Sequence, residues 1–398
     1  MSQLLNGLRV LEMGTLIAGP FAGRLFADFG ADVIKVETPK QGDPIRKWRL
    51  LKDDVSLWWH VQGRNKKSIT VDLKREKGQE IIKELVKETD IVIENFRPGK
   101  LEEWGLGYED LKRINPRIIM VRISGYGQDG PYHKRPGFGS IGEAMGGIRY
   151  LTGYPDRPPT RVGISLGDSV SSLYAVMGAM MAVYHRDVLK TNKGQYIDIA
   201  LYESIFSLME SMVPEYDVYQ FIRERTGSTL PGIVPSNTYI CKDGKYIVIG
   251  GNGDSIFKRL MTAIGREDVA NDAAFQTNDC RVQQSEFLDA IINEWAGSLP
   301  LEEALSILEK HDVPAGSIYS IEDIMNDPHY QAREMILDTK LKNGEHLKMP
   351  GIMPKFSETP GEVKWTGPSL GEHNDEVLKN ILHLTEEEVI ALKLDKII

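Results

Sequence analysis

Asp168 is the residue whose type and position give the chain its clearest candidate for chemistry. It stands directly before a helical pattern of apolar residues at Leu173, Val176, Met177 and Met180. A helix dipole stabilises a carboxylate at the N-terminal end by ~0.3–1 kcal/mol, and a carboxylate is one of the side chains that form covalent intermediates. Aspartate is also a preferred N-cap residue, so its position alone favours a purely structural role.

A glycine-rich turn near the N-terminus is a second candidate. A predicted strand is followed by Gly14, Gly19 and Gly23, and the next predicted strand ends at Glu37, which is similar to the opening of a dinucleotide-binding fold. The glycine spacing is wider than G-x-G-x-x-G, so the sequence is weak evidence for NAD. The alternative is a tight turn between a strand and a helix, with Pro20 favoured at the helix start.

The elements that must position these residues alternate between strands and helices. Strands are predicted over 8–13, 31–37, 68–73, 90–95, 117–124 and 195–200, with helices over 20–29 and around 81–86. This alternation predicts an α/β domain with a parallel sheet. Further on, 239–249 is predicted to be a hairpin around Asp243-Gly244, and helices are predicted over 255–264, 285–295 and 301–310. These indicate a smaller α+β domain. A turn at Asn343-Gly344 and helices over 375–382 and 386–394 follow.

Length and composition restrict the class of protein. A chain of 398 residues predicts two domains, and a net charge of -9 argues against a general nucleic-acid binder. The two cysteines, Cys241 and Cys280, have no neighbouring ligands that indicate a zinc site. The N-terminus does not resemble a secretory signal, and the apolar run 173–184 is shorter than the ~20 residues of a membrane span. We therefore expect a cytoplasmic protein that is not in a membrane.

Several short motifs follow one another in an order that belongs to one enzyme family. They are Ala18-Gly19-Pro20, the runs 29–37, 65–73 and 94–99, Gly125-Tyr126-Gly127-Gln128, Gly167-Asp168, Lys193-Gly194-Gln195, Val313-Pro314-Ala315-Gly316, Asp327-Pro328 and Leu370-Gly371-Glu372-His373. Together they resemble the class III CoA-transferases, the family of formyl-CoA transferase and the carnitine CoA-transferase. The resemblance extends from residue 8 to about residue 378.

The resemblance implies a fold and an assembly. It implies a Rossmann-like large domain that begins with 1–205, a linker over 206–235, a small α+β domain over 236–325, and a return segment, 326–398, that completes the large domain. It also implies a homodimer in which the two chains interlock.

The resemblance also implies a reaction between acyl-CoA and a free carboxylic acid. Asp168 matches the family's nucleophile, which forms a mixed anhydride and then an aspartyl-CoA thioester. Gly250 and Gly251 match a glycine loop that covers the active site and offers donors to an oxyanion, although Asn252 and Asp254 interrupt its run of glycines. No metal or redox cofactor is implied.

Coenzyme A contacts are implied at a set of matching positions, which are Ile17, Ala18, Val71, Leu73, Lys74, Asn95, Phe96, Arg97, Trp104, Pro136, Gly137 and Phe138. Trp104 is expected to pack on the adenine. Thr38 and Glu103 stand where formyl-CoA transferase has arginines, so we expect Arg97, Lys40 or Arg46 to contact the CoA phosphates.

The sequence leaves three competing functions open. An α-methylacyl-CoA racemase of the same fold would need proton-carrying residues where this chain has Phe138 and Gly139. Gly139 also replaces an acidic neighbour in formyl-CoA transferase, for which Glu143 is the candidate substitute. A non-catalytic acyl-CoA binding protein and a dehydrogenase are the second and third competing functions. The segment 235–239 and Asn252 resemble family members that act on dicarboxylates with succinyl-CoA as donor.

Overall fold

The structure is a computed structural model that describes residues 3–398. Its strands are β1 Arg9–Glu12, β2 Asp32–Glu37, β3 Leu51–Lys52, β4 Val55–Ser56, β5 Lys66–Thr70, β6 Ile91–Glu94, β7 Ile119–Ser124, β8 Tyr196–Ala200, β9 Ser236–Ile240, β10 Tyr246–Gly250, β11 Ala315–Ser317, β12 Ile336–Lys340 and β13 His346–Pro350. These strands form one large and three small sheets.

The helices follow the same chain order. They are α1 Ala18–Asp28, α2 Leu57–Gln62, α3 Glu76–Lys87, α4 Lys100–Glu103, α5 Tyr108–Ile114, α6 Gly139–Met145, α7 Ile148–Leu151, α8 Leu166–Val183, α9 Leu201–Phe206, α10 Met212–Tyr219, α11 Asp254–Ala263, α12 Glu267–Ala270, α13 Asn278–Val282, α14 Ser285–Ser298, α15 Leu301–Lys310, α16 Ile321–Asn326, α17 Pro328–Ala332, α18 Asn374–Asn380 and α19 Glu386–Leu394.

The chain divides into two compact units. Unit 1 contains the described residues up to Ile148 together with Val162–Glu210 and Ala332–Ile398, and unit 2 contains Arg149–Arg161 and Ser211–Gln331. Both ends of the chain therefore belong to unit 1. The boundaries differ from the predicted ones, because 149–161 joins unit 2 and the predicted linker over 206–235 includes helix α10.

A six-stranded parallel sheet forms the centre of unit 1 and confirms the α/β prediction. Its strand order is β5-β2-β1-β6-β7-β8, and every neighbouring pair is parallel. The chain thus builds outward from β1 in one direction and from β6 in the other. In sheets of this kind, ligands bind beyond the carboxyl ends of the strands where the order reverses, which here is between β1 and β6.

The central strands of the sheet are buried on both faces because their apolar residues point to both sides. In β1, Val10 belongs to a core formed with α1 and α8, whereas Leu11 belongs to a core formed with α3, α5, α18 and α19. Successive side chains of a strand point to opposite faces, so one strand supplies both cores. The result is a sheet between two helical layers.

The outer edge of β5 is closed by the C-terminal segment. The Ser68 N–H donates to Nδ1 of His373 at 3.1 Å, and the Thr70 N–H donates to Oδ1 of Asn374 at 2.8 Å. Burial lowers the pKa of His373, which keeps this ring nitrogen available as an acceptor. The segment around His373 therefore bonds to the backbone of the edge strand β5.

Unit 2 has its own small core. The strands β9, β10 and β11 form an antiparallel sheet in the order β11-β10-β9, and the predicted hairpin around Asp243-Gly244 is confirmed as β9 and β10. Helices α11, α14 and α15 begin within one residue of their predicted starts and cover this sheet with apolar residues such as Phe257, Leu288 and Leu308.

Helix α8 is longer and more apolar than the sequence suggested. With a π-helical turn over Tyr184–Val188 it extends over Leu166–Val188, which is 23 residues, and an 18-residue stretch of it has a mean hydropathy of 1.3. By length and composition alone it is able to cross a membrane, and the predicted apolar run 173–184 covers only part of it. Its small residues Ala175, Ala179 and Ala182 are buried against unit 1, which is also typical of a core helix.

Candidate active site

The positions that resemble CoA contacts lie after strand ends of the large sheet. Ile17 and Ala18 follow β1, the segment 71–74 follows β5, and 95–97 follows β6. The segment 136–138 lies in the loop between β7 and α6. Because the carboxyl ends of parallel strands meet at one edge, the fold brings these segments to the edge where such sheets bind ligands.

Asp168 lies in the first turn of α8. The helix begins at Leu166, so Asp168 is its third residue and not its N-cap. The side chain is partly exposed. Its carboxylate is thus stabilised by the N-terminal end of a long helix without being buried by it.

Gly139 is packed directly against this carboxylate. A Cβ atom added at Gly139 would lie 2.1 Å from Oδ2 of Asp168, a separation that non-bonded atoms do not tolerate. Gly139 is the first residue of α6, and Phe138 before it is 68% exposed. Only glycine therefore allows the carboxylate to hold its place.

Two further side chains fix the start of α8. Glu143, one turn along α6, is buried, and its Oε1 accepts a hydrogen bond from the Gly167 N–H at 3.3 Å. The Ser172 hydroxyl lies 2.7 Å from the carbonyls of both Asp168 and Ala18. It thereby joins the nucleophile candidate to the start of α1.

Asn95 contacts the turn between β1 and α1 rather than projecting away from it. Its Oδ1 accepts from the Thr15 N–H at 2.8 Å, and its Nδ2 donates to the Thr15 carbonyl at 2.9 Å. Gly14 and Gly19 also approach closely, because a Cβ at Gly14 would lie 3.0 Å from Cα of Gly19. The glycines close a tight βα turn, as the second interpretation of this motif predicted.

The apolar candidates for CoA contact have buried side chains. Ile17, Ala18, Val71 and Leu73 are each less than 9% exposed. Contact of these residues with a ligand is therefore limited to the small exposed part of each residue. Backbone N–H and C=O groups are effective partners for a polar ligand at such turns.

The cationic candidates differ in their availability. Lys40, Lys74 and Arg97 are exposed. Arg46 is not, because its guanidinium binds both carboxylate oxygens of Glu37 at 2.7 and 2.8 Å and stacks 3.8 Å from the ring of Trp59. The prediction that Arg46 is a phosphate partner is wrong, since a neighbouring carboxylate already uses its donors.

Trp104 is partly buried against other side chains. Its ring meets Phe96 edge to face with 5.5 Å between centroids, and the Lys100 ammonium lies 5.1 Å from the indole. The rings of Phe96 and Trp104 thus form an aromatic platform beside the turn that follows β6.

The segment after β7 is placed differently. Pro136 is exposed, and Gly137 touches Gly125, where a Cβ would lie 2.9 Å from Cα of Gly137.

Glu94 is a buried acid that the sequence did not single out. Its Oε2 accepts from the Phe96 N–H at 2.7 Å, and Arg122 donates to its Oε1 at 2.9 Å. Burial raises the pKa of Glu94 to about 7, and the ion pair with Arg122 opposes that rise. Glu94 therefore shapes the turn that carries Asn95 and Phe96.

The glycine loop after β10 belongs to unit 2, where its backbone is already engaged. The Gly250 N–H donates to the Pro314 carbonyl at 2.9 Å, and the Gly251 N–H donates to the Pro235 carbonyl at 2.8 Å. In this conformation neither N–H group is available to a reaction intermediate. An oxyanion role for them requires the loop to move.

Arg281 holds this loop and has no exposed surface. Its guanidinium donates to the Asn252 carbonyl at 2.6 Å and to Asp254 at 2.8 Å, and also to the carbonyls of Val234 and Phe275. No sequence motif indicated Arg281 or Ser172, since each bonds to the backbone of a distant segment. Glu94, inside the run 94–99, lay within a recognised motif.

Comparison with known proteins gives concordant matches. The model of CoA-transferase family III matches residues 5–374. The chain is 49% identical over 395 residues to succinyl-CoA–D-citramalate CoA-transferase of Chloroflexus aurantiacus, covering 99% of this chain and 98% of the relative. It is 41% identical over 399 residues to the β subunit of succinyl-CoA–L-malate CoA-transferase of the same organism, with 99% and 98% covered.

The fold also matches a solved structure. The crystal structure of a CAIB/BAIF family protein from Brucella suis is similar with a TM-score of 0.84 and 35% sequence identity. The match covers 96% of this chain and 100% of that chain.

Proposed function

The chain belongs to CoA-transferase family III, and we propose on this premise that it moves CoA from succinyl-CoA to a dicarboxylic acid by way of Asp168. The observation that carries the proposal is the partly exposed Asp168 carboxylate, which lies in the first turn of α8 against Gly139. Such a carboxylate is partly accessible to solvent, and residue 139 places no side chain beside it.

The proposed reaction conserves charge and protons. A carboxylate oxygen of Asp168 attacks the thioester carbon, and the C–S bond breaks. CoA leaves as a thiolate, and the donor acyl group stays on Asp168 as a mixed anhydride. The thiolate then attacks the aspartyl carbonyl, which releases the donor acid as a carboxylate and leaves an aspartyl-CoA thioester. The acceptor carboxylate displaces the thiolate to form a second anhydride, and the thiolate takes the acceptor acyl group and frees Asp168.

The residues proposed to bind the coenzyme differ from those that hold Asp168 in place. We propose that the backbone of the 17–18 and 71–74 segments, together with Lys74 and Arg97, holds the coenzyme, with Phe96 and Trp104 as the aromatic platform. The large unit then works in the Rossmann-like manner, with ligand beyond the carboxyl ends of its strands. An oxyanion role for Gly250 and Gly251 stays a prediction and requires their N–H groups to leave Pro314 and Pro235.

A dicarboxylate acceptor is supported by the names of two relatives, which act with succinyl-CoA on D-citramalate and L-malate. Racemisation has no such support. Phe138 and Gly139 cannot carry a proton, and Gly139 has no room for a side chain beside Asp168. The proposal therefore concerns transfer between acids and not proton movement on the acyl chain.

The direct test is an acceptor panel. The protein is incubated with succinyl-CoA and matched pairs of dicarboxylates and monocarboxylates of equal chain length, and the CoA products are identified by mass. We expect new acyl-CoA species from dicarboxylates, formed at least about tenfold faster than from their monocarboxylate partners, which lack the second charged group. Deuterium uptake at the α-carbon of an acyl-CoA without any transfer would instead support the racemase, and binding without turnover would support a silent binding protein.

We also propose that the protein is a cytoplasmic homodimer whose subunits pair through α8. Leu173, Met177, Met181, Tyr184 and Val188 lie on one face of this helix at spacings of three and four residues, and each is 46–62% exposed. A continuous exposed apolar face of this kind marks a contact surface. A second copy is the proposed occupant, in agreement with the resemblance.

Charges on this face should dissociate the dimer. The double variant Leu173→Lys and Met181→Lys should raise the dimer dissociation constant by about 100-fold, because each subunit would bring two unpaired ammonium groups into the interface. Analytical ultracentrifugation measures the change. Leu394→Lys, at a position that is 77% exposed on α19, serves as the control and should leave the dimer intact. A dimer that survives the double substitution, or co-flotation of the parent protein with lipid vesicles, would contradict the proposal.

A further inference from the structure

The turn that leads from β1 into α1 is hydrogen-bonded to a buried ion pair. Lys35 in β2 donates from Nζ to the Gly14 carbonyl, and Asp43 accepts from the Leu16 N–H at 3.0 Å. Lys35 and Asp43 also pair with each other at 2.8 Å, and both are at most 1% exposed. The ion pair thus hydrogen-bonds to Gly14 and Leu16, two of the three residues of the turn.

Asn95 hydrogen-bonds to Thr15, the residue between Gly14 and Leu16. Its two hydrogen bonds to Thr15 complete a set in which each of three consecutive residues has its own side-chain partner. The partners come from β2, from the loop after β2 and from the end of β6. Such a set leaves the turn little freedom to rearrange.

Leu16 has an unusual backbone conformation in this hydrogen-bonded turn. Its φ is 66°, in the left-handed region that leucine rarely occupies. A conformation of this kind persists where the surroundings over-determine it, and it is concentrated at ligand-binding sites. The next residues, Ile17 and Ala18, begin α1, and the Ala18 carbonyl is the one that Ser172 joins to the first turn of α8.

We propose that Asp43, Lys35 and Asn95 are positioning residues that hold the turn Gly14–Leu16 in the conformation that acyl-CoA requires. The inference rests on the proposed function, which places Ile17 and Ala18 against the coenzyme. Asn95 then acts through Thr15 instead of contacting CoA with its side chain. A turn that is already ordered in the free protein binds acyl-CoA more tightly, because binding then loses no conformational entropy of the turn.

The test compares two buried carboxylates of unit 1. Asp43→Asn removes one of the two carboxylates that pair with Lys35, the other being Glu12 at 3.1 Å, and keeps the side-chain shape. Asp28→Asn is the matched control, because Asp28 is also 1% exposed and binds Arg64 at 2.6 and 2.7 Å but does not touch the turn. Both variants should melt at lower temperature than the parent protein.

Only Asp43→Asn should weaken CoA binding. Calorimetric titration with CoA should give a dissociation constant about tenfold higher for Asp43→Asn and unchanged for Asp28→Asn. The kcat at saturating succinyl-CoA should change less than twofold in both. Equal CoA affinity in the parent and Asp43→Asn, or an equal loss in both variants, would overturn the inference.

Asn95→Ala provides a second variant that removes no buried charge and covers the case in which Asp43→Asn does not fold. In the absence of CoA, the amides of Thr15 and Leu16 should exchange with solvent at least about tenfold faster in Asn95→Ala than in the parent. A side chain that only contacted the ligand would leave this exchange unchanged, and that result would overturn the inference. Failure of the parent protein to bind CoA would instead defeat the proposed function itself.

Discussion

Asp168→Ala should lower the rate of CoA transfer by about 10³-fold or more, while the protein stays folded and still binds CoA. The loss is large because all three covalent intermediates of the proposed route are bonded to this carboxylate, and removing a nucleophile usually costs this much. Stability should change little, since the side chain is partly exposed. The measurement is product formation from succinyl-CoA, followed by mass spectrometry.

Asp110→Ala is the control for this experiment. Asp110 also lies in the first turn of a helix in unit 1, in α5, where it pairs with Arg113 at 3.0 Å. It should transfer CoA at the parent rate. Hydroxylamine added after exposure to acyl-CoA should change the mass of the Asp168 peptide in the parent and in Asp110→Ala, and should leave the corresponding peptide of Asp168→Ala unchanged. Transfer that persists undiminished in Asp168→Ala would remove the basis of the proposed mechanism.

Gly139→Ala should reduce kcat by about 100-fold without weakening CoA binding. The new methyl group would lie 2.1 Å from Oδ2 of Asp168, so the carboxylate must shift, and a displacement near 1 Å is enough for a loss of this size. Steady-state kinetics with succinyl-CoA and calorimetric titration with CoA separate the two effects.

The matched control is Gly163→Ala. Gly163 lies five residues before Asp168, and a Cβ there meets no atom within 4 Å. This variant should keep the parent rate. A full rate in Gly139→Ala as well would mean that the carboxylate does not react from the position it occupies in this structure.

Much of the fold was predictable because the central strands of the parallel sheet carry runs of apolar residues. β2 and β7 were predicted to within two residues. β5 was placed over 68–73 but occupies Lys66–Thr70, because a lysine seldom begins a buried strand. Here Lys66 does so by pairing with the buried Glu12 at 2.6 Å, a partner that local sequence does not reveal.

The candidate site was predictable to a lesser extent. The order of the motifs identified Asp168, but side-chain partners required the three-dimensional structure. Arg46 could not be told from an available phosphate ligand until Glu37 was seen beside it. In the same way, the N–H groups of Gly250 and Gly251 looked available until their carbonyl partners were known.

The closure of β5 by His373 and Asn374 has a consequence for biosynthesis. Thr70 and Asn374 are separated by 304 positions in the chain. At about 5–20 residues per second, a ribosome needs about 15–60 s to make that stretch, so β5 emerges long before the segment that seals it. An unsealed strand edge is a template for pairing with another chain, and a nascent subunit in that interval is one that chaperones should recognise.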